Sequence, residues 1–122
     1  VTIVLDASAV LAFLRDEPGT DVVVDSLTGE VVCGAANWSE VAQRSLASGH
    51  NWGEARVWLR ARGLEIEPVT AEDAEWAARR WKRSENLSLA DRLCLALGSR
   101  LDATVLTADR EWAGLAGVRM IC

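Results

Sequence analysis

The chain has 122 residues, 50% of them apolar, a formal charge of −5 and one histidine, His50. That length suits one domain with a full core, and no apolar run approaches the roughly 20 residues of a membrane span. The acidic balance argues against a basic nucleic-acid surface, and a single histidine leaves little room for a histidine-rich metal site or a histidine-centred triad.

Residues 2 to 5 form a short β-branched run, and Val10, Leu11 and Leu14 follow at helical spacing, so a strand feeding a helix is expected. After the break Glu17-Pro18-Gly19-Thr20, Val22 to Leu27 predicts a second helix, ended by Thr28-Gly29. Val31 to Cys33 is the next strand. Asn37 to Ser48 predicts a helix with Val41, Ala42 and Leu46 inward, and Gly49-His50-Asn51 closes it. Trp52 to Arg62 reads as a further helix with Trp52, Ala55, Trp58 and Leu59 on one face and Gly63 as its C-terminal cap. Leu64 to Val69 alternates apolar and acidic residues, as an edge strand does. Thr70 caps a helix expected to run from Ala71 to about Arg83, acidic early and basic late, in keeping with the helix dipole. Leu87 to Leu101 predicts a more buried helix with Leu89, Leu93, Ala96 and Leu97 inward. Ala103 to Leu106 is a strand, Asp109 to Trp112 a helical turn, and Val118 to Ile121 a last strand. Strands alternating with helices call for a mainly parallel sheet covered on both faces.

Cys33, Cys94 and Cys122 are odd in number and far apart with no C-x-x-C pair, so neither a disulfide framework nor a zinc knuckle is indicated; Cys33 and Cys94 read as core residues. No basic residue precedes the first acid, so the opening lacks a signal-peptide pattern. A soluble cytoplasmic protein without membrane association is the expectation.

In an open parallel sheet, functional groups gather beyond the carboxyl ends of the strands. Asp6 ends the first strand, Glu40 lies in "NWSEV" after the second, Asp91 in "LSLADRLCLALG", and Asp109 in "TVLTADREW" after the fourth. Each has a local explanation: Asn37-x-x-Glu40 and Ser88-x-x-Asp91 fit capping boxes, and Asp6 and Asp109 fit N-caps. Together they are harder to explain so. Two such charges 4 Å apart repel by about 4 kcal/mol at an effective dielectric of 20. Four ionised together call for a counter-cation, and an all-oxygen donor set favours a hard ion, Mg²⁺ or Mn²⁺.

With "VLDASAVLA" at the start and the three motifs above in order, the chain resembles a PIN domain, most closely a VapC-type toxin nuclease of a bacterial toxin–antitoxin pair. The resemblance spans nearly the whole chain. It implies a single PIN domain over residues 1–122, a three-layer α/β/α fold with a five-stranded parallel sheet, and an acidic pocket for Mg²⁺ (or Mn²⁺). It places the family's acids on Asp6, Glu40, Asp91 and Asp109, all present, with Asp6, Asp91 and Asp109 holding the ion, Glu40 either ligating it directly or orienting the water, and Ser8 and Thr107 in supporting positions. The implied activity is metal-dependent endoribonuclease cleavage of RNA as the toxin of a type II pair. A cognate antitoxin and a homodimer built with the help of the 37–62 helical pair are the implied partners. Set beside it are a housekeeping PIN nuclease of RNA processing and a non-catalytic binding module whose acids are only caps. Setting aside the four site acids leaves the rest of the chain at about −1, which weakens the charge objection. No G-x-x-x-x-G-K or G-x-G-x-x-G is present to support a P-loop or a dinucleotide site.

Arg92 and Arg110 each follow a site aspartate, but successive helical residues diverge by ~100°, so both are read as solvated or salt-bridged. The Arg79, Arg80, Lys82, Arg83 cluster is read as a solvated face with a Glu75–Arg79 pair. The six tryptophans are read as core or subunit-contact residues in the main.

Overall fold

Alternating apolar side chains can bury both faces of a strand only if helices cover both sides of the sheet. In a computed structural model describing residues 1–122, the chain runs β1 (Thr2–Leu5), α1 (Ala7–Leu14), α2 (Thr20–Ser26), β2 (Glu30–Gly34), α3 (Ala35–Ala47), α4 (Trp52–Ala61), β3 (Leu64–Glu67), α5 (Ala71–Arg80), α6 (Leu89–Leu101), β4 (Thr104–Thr107), a 3₁₀ turn (Arg110–Trp112) and β5 (Val118–Met120). The five strands form one sheet in the order β3-β2-β1-β4-β5, every pair parallel. This is the expected α/β class and sheet, with β3 at an edge as its alternation requires.

Leu5, Val31, Cys33, Leu64 and Leu106 pack with α1 to α4 in one core; Val4, Val32 and Val105 pack with α6, Trp112 and Trp76 in the other. The strand period of two therefore divides each strand between two hydrophobic layers. On the second face α6 lies unusually close to β4. A Cβ built on Gly98 would stand 2.6 Å from Val105 Cγ2, so only glycine allows that approach. No helix is long and apolar enough to cross a membrane.

Expectations about three helices need correction. The helix after β2 begins at Ala35 with Gly34 as its N-cap, so Asn37 is its third residue and not a cap. Its buried stripe is Asn37, Val41 and Ser45, at i, i+4 and i+8, which turns Leu46 outward to 61% exposure. Leu89 is likewise 58% exposed, because Ser88 starts α6 and directs Cys94 to Gly98 inward instead. The α5 helix stops at Arg80: Trp81 adopts an extended ψ of 137°, and Arg80 folds onto Glu85 through two bonds of 2.6 and 3.0 Å. The basic cluster is thus divided between a helix end and a loop, and the Glu75–Arg79 pair gives way to Arg80–Glu85.

Candidate active site

The chain leaves β1 for β2 on one side and returns from β3 to β4 on the other, so strand order reverses between β1 and β4. Carboxyl-end loops part at such a point and leave a crevice. Asp6 stands at its edge. Its backbone N–H still pairs with the Leu106 carbonyl of β4 at 3.2 Å, and its extended backbone makes it the N-cap of α1. Asp6 Oδ1 accepts the Ala9 N–H (2.8 Å) and the Ser8 hydroxyl (2.7 Å), and Oδ2 accepts the Thr107 hydroxyl (2.6 Å). The two hydroxyls lie 3.2 Å apart; Ser8 Oγ accepts the Ala108 N–H at 2.8 Å and Thr107 Oγ1 the Asp109 N–H at 3.0 Å. Ser8 and Thr107 therefore lace the first acid to the loop that carries the fourth.

Of the remaining acids, Asp91 and Asp109 arrive on helix starts and Glu40 in the second turn of α3. Asp91 closes a capping box with Ser88: the Ser88 N–H donates to Asp91 Oδ2 at 2.9 Å, and the Asp91 N–H donates to Ser88 Oγ at 3.1 Å. Asp109 caps the 3₁₀ turn through the Glu111 N–H at 3.0 Å. Glu40 Oε1 accepts from Asn37 Nδ2 at 3.4 Å. All four line one pocket of about 310 Å³ with Ser8, Asn37, Arg44 and Ser88. A larger hollow of about 560 Å³ beside Trp76 and Gly98 holds a single acid, Asp102. The cap geometry foreseen for Asp6, Asp91 and Asp109 is real, and so is their assembly with Glu40.

Asp6 is 4% exposed. Burial raises its carboxyl from 3.8 to about 6, against the pull of the Thr107, Ala9 and Ser8 hydrogen bonds, and the Asp91 charge pushes the same way as burial. Burial also raises Glu40, again helped by Asp91, while Arg44 and Asn37 draw it back. Both groups thus sit in a field that resists negative charge.

As the side chains stand, no three acidic, histidine or cysteine groups are close enough to hold one ion directly. Asp91 Oδ1, Asp109 Oδ2 and Glu40 Oε2 nevertheless have no hydrogen-bond partner in the protein. The donor set is oxygen throughout, which fits a hard divalent ion; Mg²⁺ keeps several waters and takes only one or two carboxylates directly.

Two contributors escaped the sequence reading. Asn37, 1% exposed, reaches from α3 to both Glu40 and the Ala90 carbonyl at 3.3 Å, while its Oδ1 has no partner and lies against Gly34. Arg44, one helical turn beyond Glu40, is the one basic residue lining the pocket. The i, i+4 spacing of Asn37-Val41 and Glu40-Arg44 was the available signal. Arg92, by contrast, turns away and donates to the Ala77 carbonyl at 2.6 Å, bracing α6 on α5. Trp112 is 1% exposed and Trp38 packs edge-on against Trp52 at 4.9 Å, so neither is placed to stack on a ligand. Burial pushes the Cys33 and Cys94 thiols far up, which leaves them inert core groups as expected.

A family model described as PIN domain matches residues 3–118. The chain belongs to the PIN domain family. Among solved structures, this PIN chain is similar to a toxin–antitoxin complex from Klebsiella pneumoniae, with a TM-score of 0.78, 16% identity and 98% of each chain covered. It is similar to Mycobacterium tuberculosis VapC20, described as a sarcin–ricin loop cleaving toxin, with a TM-score of 0.72 and 17% identity over 96% of this chain and 98% of that one. Neisseria gonorrhoeae FitAcB gives a TM-score of 0.66 and 22% identity over 97% and 95%. At these identities the likeness is one of fold. A comparison with curated proteins finds no match.

Proposed function

We propose that this PIN domain is a metal-dependent endoribonuclease that hydrolyses RNA phosphodiester bonds, acting as the toxin of a type II toxin–antitoxin pair. The observation that carries the reading is Asp6: a buried carboxylate held only by neutral donors, sharing one pocket with Glu40, Asp91 and Asp109. Such a group is short of positive charge, and a divalent ion is the cation its oxygen-only neighbours suit. Asp6, Asp91 and Asp109 would hold Mg²⁺ or Mn²⁺, in part through water. When bound, the ion supplies charge neutralisation on the phosphate and a more acidic water.

The protein's own groups divide the remaining work. Ser8 and Thr107 fix the direction of the Asp6 carboxylate. Glu40, whose Oε2 has no protein partner, would ligate the ion directly or orient the attacking water. Asn37 holds Glu40 beside the start of α6.

The toxin role and an antitoxin partner are supported by likeness to the Klebsiella toxin–antitoxin complex, and RNA as substrate by likeness to VapC20. Residues 1–122 act as a single domain in the cytoplasm. Val57, exposed on α4, and Leu46, exposed on α3, give the helical pair an apolar face for a second copy. The cap geometry taken alone favours a binding module instead. Cleavage of a panel of structured RNAs by the wild type and by Asp6→Asn separates the two. Mg²⁺- or Mn²⁺-dependent cleavage that the substitution abolishes is expected; cleavage persisting at full rate in the mutant, or with metal chelated, contradicts the assignment.

A further inference from the structure

A pocket lined by four acids repels the phosphate it is proposed to take, unless some cation faces the substrate from outside the carboxylates. The arginines around the site differ in whether they are free to do so. Arg92 is committed to the Ala77 carbonyl and Arg100 to Asp73, with bonds of 3.0 and 3.1 Å. Arg80 is committed to Glu85. Arg110 also makes no side-chain bond but lies outside the pocket lining, which leaves Arg44. It lines the pocket, its side chain is exposed, and it makes neither an ion pair nor a side-chain hydrogen bond. Its place on α3, four residues after Glu40, puts both side chains on one face of the helix, yet they form no salt bridge. A free guanidinium at the rim of an acid pocket has the planar fork that takes two phosphate oxygens at once.

We propose that Arg44 is the phosphate-binding residue of this site, gripping non-bridging oxygens of the RNA strand presented to the acids. The assignment rests on the nuclease reading above. It supplies a positive contact without changing the proton inventory, so it acts on substrate binding: loss of the guanidinium raises KM more than it lowers kcat.

The test measures binding of a fluorescein-labelled single-stranded RNA of mixed sequence by anisotropy, over a salt series, in an Asp6→Asn background that prevents cleavage. Arg44→Gln is expected to weaken binding by about tenfold, equivalent to about 1.4 kcal/mol. It should also reduce the slope of log affinity against log salt by about 0.7, one phosphate contact on a single strand. Arg44→Lys should keep the slope and part of the affinity. Arg56→Gln on α4, a charge-matched control outside the pocket, should change neither. Unchanged affinity and slope in Arg44→Gln, with the parent binding RNA, would overturn the assignment and leave the nuclease reading intact. A change in Mn²⁺ affinity alone would also overturn it, because Arg44 would then serve only Glu40. If the parent binds no RNA and the wild type cleaves none, the nuclease reading falls and this assignment falls with it.

Discussion

Asp6 and Asp73 are the two buried aspartates of this chain, at 4% and 3% exposure, and both serve helix starts. Their surroundings differ in the charge that faces them. Asp73 closes a capping box with Thr70 and meets the Arg100 guanidinium at 3.0 Å. Burial pushes its carboxyl up, but the Arg100 bond, the Thr70 contacts and the Arg100 charge together hold it below the ordinary value. Asp6 receives only hydroxyls and one backbone N–H, with a second carboxylate near enough to be felt, and stays raised. The α5–α6 face supplies its own cation; the crevice between β1 and β4 leaves that to something from outside. A buried acid with its own arginine is satisfied within the fold, whereas one among other acids is the arrangement we propose takes a cation.

The contrast breaks most sharply in activity. Asp6→Asn should reduce RNA cleavage by about a thousandfold or more, in the range for removing a key electrostatic group. Asp73→Asn should leave the specific rate of folded enzyme within about twofold, measured as cleavage per folded molecule below the melting transition. A large loss in Asp73→Asn would erase the distinction between the two sites.

In stability the order inverts. Without divalent ion at neutral pH, Asp73→Asn should lower the melting temperature by several degrees, since a charged hydrogen bond is worth about 1.5–3 kcal/mol. Asp6→Asn should raise it, because the amide removes a disfavoured buried charge. The pH dependence follows the same signs. The folded state holds the Asp6 proton more tightly than the unfolded chain, so stability falls as pH rises from about 3.8 to about 6, by about 3 kcal/mol at most. Asp73, being lowered, contributes stability that is present above the ordinary carboxylate range and lost as pH falls through its folded value. Calorimetric melts of wild type and Asp6→Asn across this window check it: the pH 4–6 decline should shrink in the mutant to the part that the raised Glu40 carboxyl contributes.

Smaller effects sharpen the boundary. Asn37→Ala, read by Mn²⁺ titration, should weaken ion binding by about tenfold, as loss of a partner orienting a metal ligand does. Thr70→Ala should lower stability by about 1 kcal/mol, equally with and without ion, because it removes only a cap.

Much of the sheet was legible because a strand buried on both faces reads as a short continuous apolar run, as Val31 to Cys33 does, and Asp6, Asp91 and Asp109 were legible because each ends a strand or opens a helical segment. The Asn37-x-x-Glu40 pattern misled: the same letters fit a capping box, and only the position of Gly34 at the strand end makes Asn37 a buried bridge. Leu46 and Leu89 face outward because packing against neighbouring helices, not propensity, chooses a helix's buried stripe. The Arg92–Ala77 contact depends on how α5 and α6 cross, and Arg44 gains meaning only once it is seen to be the arginine that lines the pocket. Neither fact is local in sequence.

The central claim, that the Asp6 crevice wants an external cation, is tested most directly by Mn²⁺-dependent thermal unfolding of wild type, Asp6→Asn and Asp73→Asn at neutral pH. Ion that binds only the folded state raises the melting temperature in proportion to its affinity. Wild type and Asp73→Asn should shift upward together while Asp6→Asn stays nearly still, reversing its lead over wild type in the absence of ion. Equal shifts in all three proteins, or none, would contradict the claim and leave Asp6 a helix cap.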